Sequence, residues 1–259
     1  MLLAVDIGNS GIKFGVFDAN DSSVVKYRFS ISSKVSRTAD EYELLIRQFL
    51  SVHNLCNVNH CVIASVAPSI TNSIYNAVRN ICSEAPFIIG SGTHTGFKIR
   101  IDDPSELGAD IVSNAAAALS LANGPSVVAD LGTATTLTAI NRNAELIGSV
   151  IIPGAGLSLD ALSDTAELLN KVSFKRPKNL IGTNSADSIT SGVINGNIFM
   201  IDGFIRNLRE QLCAEGEKLA LIATGGYCNA IIPHCRNKFQ IVDDLTLIGA
   251  SLLYKRNKK

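Results

Sequence analysis

The segment VVADLGTATTLTAI, residues Val127–Ile140, consists of two apolar runs joined by a short polar one. The β-branched residues before Asp130 predict one strand, and the run that starts at Thr135 predicts a second strand. Between them, Asp130–Thr133 predicts a tight turn, in which Gly132 gives the backbone freedom and lets a ligand approach closely. Three threonine hydroxyls and the carboxylate of Asp130 therefore predict a polar site at this strand end.

The chain begins with the same arrangement. Leu2–Asp18, LLAVDIGNSGIKFGVFD, is also predicted to form strand, turn and strand, with Asp6–Asn9 in the place of Asp130–Thr133. A single turn of this kind is a weak indication of a ligand, because ordinary β-hairpins also favour Gly, Asn and Asp there. Two copies are a stronger indication, since facing turns could hold the two ends of a polyphosphate through backbone N–H groups and hydroxyls.

The composition excludes several classes of protein. The 259 residues are 46% hydrophobic and 18% charged, which indicates a globular chain with a large core. Lys+Arg and Asp+Glu both number 23, so no overall charge favours nucleic acid or an anionic membrane. No apolar run reaches the roughly 18 residues of a membrane span, and Met1 leads into a predicted strand without the basic segment of a signal peptide.

The cysteines indicate a reducing compartment. Six are present, but none forms a CxxC pair and none has a His partner at zinc-finger spacing. Cys61 and Cys82 lie in apolar patterns and are predicted to be small core residues. We therefore expect a cytoplasmic protein without a nucleic-acid or membrane partner.

Strands and helices alternate in the first half of the chain, which predicts an α/β architecture with a mixed sheet. A capping-box pattern at Thr38–Glu41 predicts the start of a helix that extends to about Val52. The other predicted elements are strands at 24–32, 61–66 and 86–89 and a helix at 69–82.

Asp103–Glu106, DPSE, predicts a further helix start, with Pro in the first turn and Glu at the third position. The helix is predicted to extend through Ala109–Ala122, with Gly108 as a candidate break. Asp110 and Asn114 lie one turn apart, on the face opposite the apolar stripe. Asp110 suits a proton acceptor, but it equally suits a helix-start charge stabilised by about 0.3–1 kcal/mol. These residues alone leave both roles open.

The second half repeats the alternation. Gly225 and Gly226 follow a predicted strand, Leu219–Ala223. The pair is consistent with a helix that opens over an adenine or ribose, and equally with a simple helix start. We predict two lobes, residues 1–115 and 116–259. The remaining predictions are strands at 126–129, 135–141 and 145–152, helices at 157–169, 188–212 and 244–254, and a polar loop at 171–184.

Six motifs occur along the chain in the order DIGNS (6–10), PSELGAD (104–110), DLGTATT (130–136), PG (153–154), SG with Gly196 (191–192) and TGG (224–226). Together they resemble the type III pantothenate kinases, which include the Bvg accessory factor proteins. The resemblance covers nearly the whole chain. It implies a duplicated ribonuclease-H-like fold of the sugar-kinase, chaperone and actin superfamily, with a mixed sheet flanked by helices in each lobe.

The resemblance also implies an activity and its partners. The activity is ATP-dependent phosphorylation of pantothenate to 4′-phosphopantothenate, the first step of coenzyme A biosynthesis. The implied cofactors are ATP, Mg²⁺ and a monovalent cation, K⁺ or NH₄⁺. The implied assembly is a homodimer.

The family's functional positions fall on named residues of this chain. Asp110 would be the proton acceptor, and Asp130 would bind the monovalent cation. The nucleotide-binding residues would be Asp6, Ile7, Gly8, Asn9, Ser10, Gly11, Ile12, Lys13 and Thr133. The substrate-binding residues would be Ile101, Gly108, Ala109, Asp110, Ile111 and Ser185.

Three of these positions depart from the family pattern on the pantothenate side. Ile101 stands where the family has Tyr, Ile111 where it has Arg, and Ser185 where it has Thr. Losing the Arg removes a charge-assisted contact to the pantothenate carboxylate, which costs roughly 1.5–3 kcal/mol. The candidate replacements are Arg100, Lys175 and Arg176.

These departures leave three hypotheses. The first is a pantothenate kinase with weakened substrate affinity. The second is a non-catalytic nucleotide-binding paralogue that acts through partners. The third is a kinase of a less anionic alcohol.

Overall fold

The computed structural model of the protein describes residues 1–18, 21, 23–165 and 174–258. The strands are β1 (Leu2–Ile7), β2 (Gly11–Phe17), β3 (Tyr27–Ser32), β4 (His60–Ser65), β5 (Phe87–Ile88), β6 (Lys98–Ile99), β7 (Ser126–Leu131), β8 (Ala134–Ile140), β9 (Glu145–Pro153), β10 (Ala220–Thr224) and β11 (Gln240–Ile241). The helices are α1 (Ala39–Val52), α2 (Pro68–Arg79), α3 (Ala109–Leu121), α4 (Ala155–Thr165), α5 (Ser185–Leu212), α6 (Cys228–Ile231) and α7 (Leu245–Asn257). Across these ranges, each helix is too short or too polar to cross a lipid bilayer.

The chain divides into two compact units. The first comprises Met1–Leu121 together with Asp244–Lys259, and the second comprises Ala122–Asp243. The lobes predicted from the sequence, 1–115 and 116–259, differ from these units in two respects. The predicted boundary falls inside α3, and α7 packs with the first unit although it follows the second in sequence.

The first unit contains a mixed sheet in the order β3-β2-β1-β4-β5. The strands β1, β2 and β3 pair antiparallel, whereas β4 runs parallel to β1 and β5 runs parallel to β4. Leu3, Val5 and Ile7 of β1 share a core with residues of α1 and α2. Leu2 and Ala4 point to the opposite face and share a core with residues of α3 and α7. Because helices cover both faces, most of β1 is apolar.

The second unit repeats this topology. Its strands follow the order β11-β10-β7-β8-β9, with β7, β8 and β9 antiparallel, β10 parallel to β7 and β11 parallel to β10. The order of buried and partly exposed positions is the same in β1 and β7, and also in β2 and β8. Val127, Ala129 and Leu131 of β7 share a core with residues of α4, α5 and α6. The predicted duplication is confirmed.

Local sequence signals placed several element ends correctly. Thr38 Oγ1 accepts a hydrogen bond from Glu41 N at 3.3 Å, while Glu41 Oε2 accepts one from Thr38 N at 2.7 Å, so the predicted capping box is present. The predicted break at Gly108 is also present, since a 3₁₀ turn at Pro104–Glu106 ends before α3 begins.

Other element ends differ from prediction. The helix α5 begins three residues early because Asn184 caps it: Asn184 Oδ1 accepts a hydrogen bond from Asp187 N at 2.9 Å. The two-residue strands β6 and β11 were not predicted, because they are too short to show a periodic pattern. Predicted helical residues 166–169 and loop residues 171–173 lie outside the described part of the chain.

The two cysteines predicted to be core residues are buried. Cys61 and Cys82 are buried in the same core as Val5 and Ile63. Burial raises the pKa of Cys61, and it raises the pKa of Cys82 to about 11. Both thiols therefore stay protonated near neutral pH and are poor nucleophiles.

Candidate active site

The first candidate phosphate-binding turn joins β1 to β2. Gly8 N donates a hydrogen bond to Gly11 O at 3.0 Å, and the buried Ser33 donates its hydroxyl to Gly8 O at 2.8 Å. Asn9 and Ser10 at the tip are exposed. Two hydrogen bonds therefore hold the backbone of the turn, while the polar residues Asn9 and Ser10 lie at its exposed tip.

The nucleotide-binding residues predicted in β1 and β2 fall into two groups. Ile7 and Ile12 are 0% exposed, so only their backbone groups are available to a ligand. Asp6 and Lys13 occupy opposite positions in the antiparallel pair and are both partly exposed. A carboxylate and an ammonium thus flank the strand end that carries the turn.

The second candidate turn, between β7 and β8, lies in the second unit. Gly132 N donates to Ala134 O at 3.0 Å, as Gly8 N does to Gly11 O in the first turn. Gly154 N donates to Thr133 O at 3.1 Å, and a Cβ on Gly154 would lie 2.3 Å from that same oxygen. Thr133 itself is exposed. The glycine at 154 therefore lets a neighbouring backbone segment pack directly on the turn.

A third glycine brings a loop against Asp130. Gly225 has φ +100°, which L side chains rarely adopt, and a Cβ there would lie 2.6 Å from Asp130 Oδ1 and 2.5 Å from the Leu131 backbone. Tyr227 N donates to Leu131 O at 3.0 Å and fixes the same loop. Gly225 therefore does more than mark the start of α6: it permits a close backbone approach to the carboxylate.

Asp110 lies at the N-terminus of α3, and its Oδ1 accepts a hydrogen bond from Ile111 N at 2.8 Å. Burial raises the pKa of Asp110, and hydrogen bonds from the backbone N–H groups of Ile111 and Asp110 oppose that rise. Gly108 makes this geometry possible, because a Cβ there would lie 2.3 Å from Asp110 Oδ1. The carboxylate is thus held in place while its affinity for a proton is increased.

The residues predicted to bind substrate in the first unit include an apolar side chain at the position where the family pattern has Arg. Ile111 is 7% exposed, so the residue at the family's Arg position lies in the protein interior. Ile101 is partly exposed and Arg100 beside it is exposed. Gly108 and Ala109 are contiguous with Asp110 at the start of α3. Of the three candidate cations, Arg100 alone shares the first unit with Asp110.

The remaining candidates belong to the second unit. Ser185 is the exposed first residue of α5. Lys175 and Arg176 are exposed, and Arg176 Nη1 lies 2.9 Å from His234 Nδ1. Arg176 therefore already has a polar partner within its own unit.

A carboxylate beside the first candidate turn suits a divalent metal ion that binds together with a nucleotide. Among the described residues, no three His, Cys, Asp or Glu side chains form a metal-binding group. Mg²⁺ in nucleotide sites is commonly held by one or two carboxylates and the phosphates themselves. Asp6, partly exposed beside the first candidate turn, offers one carboxylate of that kind.

Some supporting contacts had no sequence signal. Ser33 is 25 residues from Gly8, and nothing in its local sequence indicates that it holds the turn. The approach of Gly225 to Asp130 had a partial signal, the Gly-Gly pair, but its target is almost a hundred residues earlier in the chain.

Solved structures show the same fold. The chain has a TM-score of 0.58 and 19% identity to a protein described as a Baf family transcriptional activator from Campylobacter jejuni, with 98% of each chain covered. A protein named as an N-acetylmannosamine kinase from Listeria monocytogenes has a TM-score of 0.55 and 11% identity, covering 100% of this chain and 99% of its own. The fold is the duplicated, actin-like α/β fold of the sugar kinases.

Sequence comparison gives the family. The chain is 36% identical over 259 residues to the type III pantothenate kinase of Moorella thermoacetica, covering 99% of this chain and 100% of that protein. It is also 36% identical over 261 residues to the type III pantothenate kinase of Shouchella clausii, covering 100% of both. The family's sequence model, type III pantothenate kinase, matches residues 2–207. Both repeated turns and Asp110 lie inside that range, and the chain therefore belongs to the type III pantothenate kinase family.

Proposed function

We propose that this protein is a kinase that transfers the γ-phosphoryl group of ATP to the 4′-hydroxyl of pantothenate, the first step of coenzyme A biosynthesis. The observation that carries the proposal is full-length membership of the family together with Asp110 at the start of α3. We also propose, on the resemblance alone, that it acts as a cytoplasmic homodimer.

Phosphoryl transfer depends mostly on positioning and on stabilising charge. The backbone of Gly8–Gly11 and the side chain of Lys13 would hold ATP phosphates in the first unit, and Thr133 would do so in the second. Asp6 would orient the Mg²⁺ that comes with the nucleotide, and Asp130 would hold K⁺ or NH₄⁺. Such ions supply positive charge against the phosphate oxygens.

Asp110 would accept the proton of the pantothenate hydroxyl. Its Oδ1 is engaged by Ile111 N, so the other carboxylate oxygen can take the proton without disturbing the helix start. A carboxylate whose pKa burial has raised is a better proton acceptor than an exposed one. The helix-start contact and the base role are therefore compatible in one residue.

One alternative acceptor has a specific observation in its favour. Position 111 carries an uncharged Ile, which offers no charge to a carboxylate and is also buried. The acceptor would then be a less anionic alcohol such as pantetheine. Arg100 is the candidate that would restore the charge in the same unit. A non-catalytic, nucleotide-binding role is the remaining alternative, and the retention of Asp110 counts against it.

The test is a direct assay with purified protein. ADP release would be followed with ATP, Mg²⁺ and either K⁺ or Na⁺, with pantothenate or pantetheine as acceptor up to millimolar concentration. We expect K⁺-dependent turnover of pantothenate. Faster turnover of pantetheine would support the altered acceptor, and nucleotide binding without turnover of either compound would support the accessory role and refute the kinase.

A further inference from the structure

A buried hydrogen bond between polar side chains joins helices α3 and α7 of the first unit. Thr246 Oγ1 donates a hydrogen bond to Asn114 Oδ1 at 2.9 Å, and the two residues are 5% and 2% exposed. From the sequence, Asn114 was expected on the polar face of α3. The structure instead buries it against a helix that lies 132 residues further along the chain.

The surroundings of this contact are made of small residues. A Cβ on Gly249 of α7 would lie 1.7 Å from Ser113 O, so the two helix backbones touch at that point. Ala117 of α3 and Ala250 of α7 are also fully buried. Small side chains form shallow ridges and grooves, which are weak at fixing how far one helix lies along another. A buried hydrogen bond between polar side chains is well suited to fixing that register.

The register of α3 matters because Asp110 lies one turn before Asn114. Ser113 Oγ donates to Ala109 O at 2.7 Å, and Val112 N donates to Gly108 O at 3.2 Å, so the first turn of α3 is internally tied. A displacement of Asn114 therefore carries Asp110 with it. A misplacement of about 1 Å can cost as much as roughly 10²-fold in rate.

We propose that the hydrogen bond from Thr246 to Asn114 is a positioning element for catalysis, which sets the place of α3 along α7 and thereby the place of the Asp110 carboxylate. The inference rests on the proposed function, because it gives the acceptor alcohol a base that must be placed accurately. Thr246 acts here through α3 and needs no contact with substrate.

Three variants of α7 test the proposal. Thr246→Val keeps the β-branched shape and removes the hydroxyl, and we expect kcat for pantothenate to fall about ten-fold, with little change in KM for ATP. Thr246→Ser keeps the donor and should restore kcat. Ser251→Ala is the matched control, since this hydroxyl on the same helix is also buried but has no hydrogen-bond partner in the described structure. Its kcat should stay near the wild-type value.

Two further measurements separate positioning from general stability. In an Asp110→Asn background, Thr246→Val should cause no further loss of kcat, because its effect passes through that carboxylate. Hydrogen–deuterium exchange should show lost protection in peptides covering 109–115 in Thr246→Val, with α1 peptides unchanged as a reference. A wild-type kcat in Thr246→Val, an equal loss in both backgrounds, or unchanged exchange at 109–115 would each overturn the inference.

Failure of the proposed function would look different. Wild-type protein that turned over no pantothenate would remove the assigned reaction. The exchange comparison needs no substrate, so it would still decide whether Thr246 fixes the start of α3.

Discussion

Replacing Asp110 with Asn should reduce turnover and raise stability at the same time. The substitution preserves size and leaves an oxygen that can accept the N–H of Ile111, whose distance to Asp110 Oδ1 is 2.8 Å. It removes the proton acceptor, which typically costs about 10²–10⁴ in rate. The loose transition state of phosphoryl transfer favours the low end, or about 2.7 kcal/mol for 10². KM for ATP should hardly change, since Asp110 belongs to neither nucleotide turn.

The effect on stability follows from the raised pKa of Asp110. Burial raises it above the ordinary 3.8, so the folded state binds this proton more tightly than the unfolded state does. That contribution to stability is full below the ordinary pKa and is lost as pH rises through the folded-state pKa. The ionised carboxylate therefore lowers the stability of the folded protein at neutral pH, and Asp110→Asn should unfold at a higher temperature there. The difference should shrink as the pH falls toward about 4.

The assay combines ADP release with thermal unfolding between pH 4 and pH 8, a range that starts near the ordinary pKa of an aspartate and extends upward, the direction in which burial shifts the pKa of Asp110. Ser251→Ala serves as a control for a buried change elsewhere in the first unit. If Asp110→Asn keeps near-normal turnover while Asp130→Asn abolishes it, Asp110 is only a helix-start charge. If Asp110→Asn is less stable than wild type at every pH, the argument from burial is wrong.

Three further changes test separate parts of the structure. Asp130→Asn should weaken the response to K⁺ and raise the apparent KM for ATP, measured by titrating both; an unchanged K⁺ response would remove Asp130 as the cation site. Gly225→Ala places a Cβ 2.6 Å from Asp130 Oδ1 at φ +100°, so we expect a loss of about 1–3 kcal/mol in unfolding free energy by urea denaturation. Gly226→Ala, where a Cβ would meet nothing within 4 Å, is its control. Thr38→Ala removes the cap of α1 and should cost about 1 kcal/mol without changing kcat, whereas Thr38→Ser should retain most of the stability.

The local pattern of residues was sufficient for the repeated strand–turn–strand units. Short runs of apolar, β-branched residues predict these strands, and a glycine with polar neighbours predicts the turn between them. The same holds for the Thr38 capping box and for the break before α3, because each depends on residues within a few positions of one another. The order of the motifs was also enough to indicate the family, since it does not depend on how distant segments meet.

Contacts between distant segments had no such signal. The packing of α7 with the first unit, the burial of Asn114 by Thr246 and the support of the first turn by Ser33 all join residues that are far apart in sequence. The helical period shows that Asn114 and Asp110 share a face, but the partner of that face depends on which helix packs there. The apolar stripe of α3 therefore predicted that one face of the helix is buried. In the structure the face that carries Asn114 is buried as well. Local propensities act over one or two turns of chain, whereas these contacts form only when the whole first unit has folded.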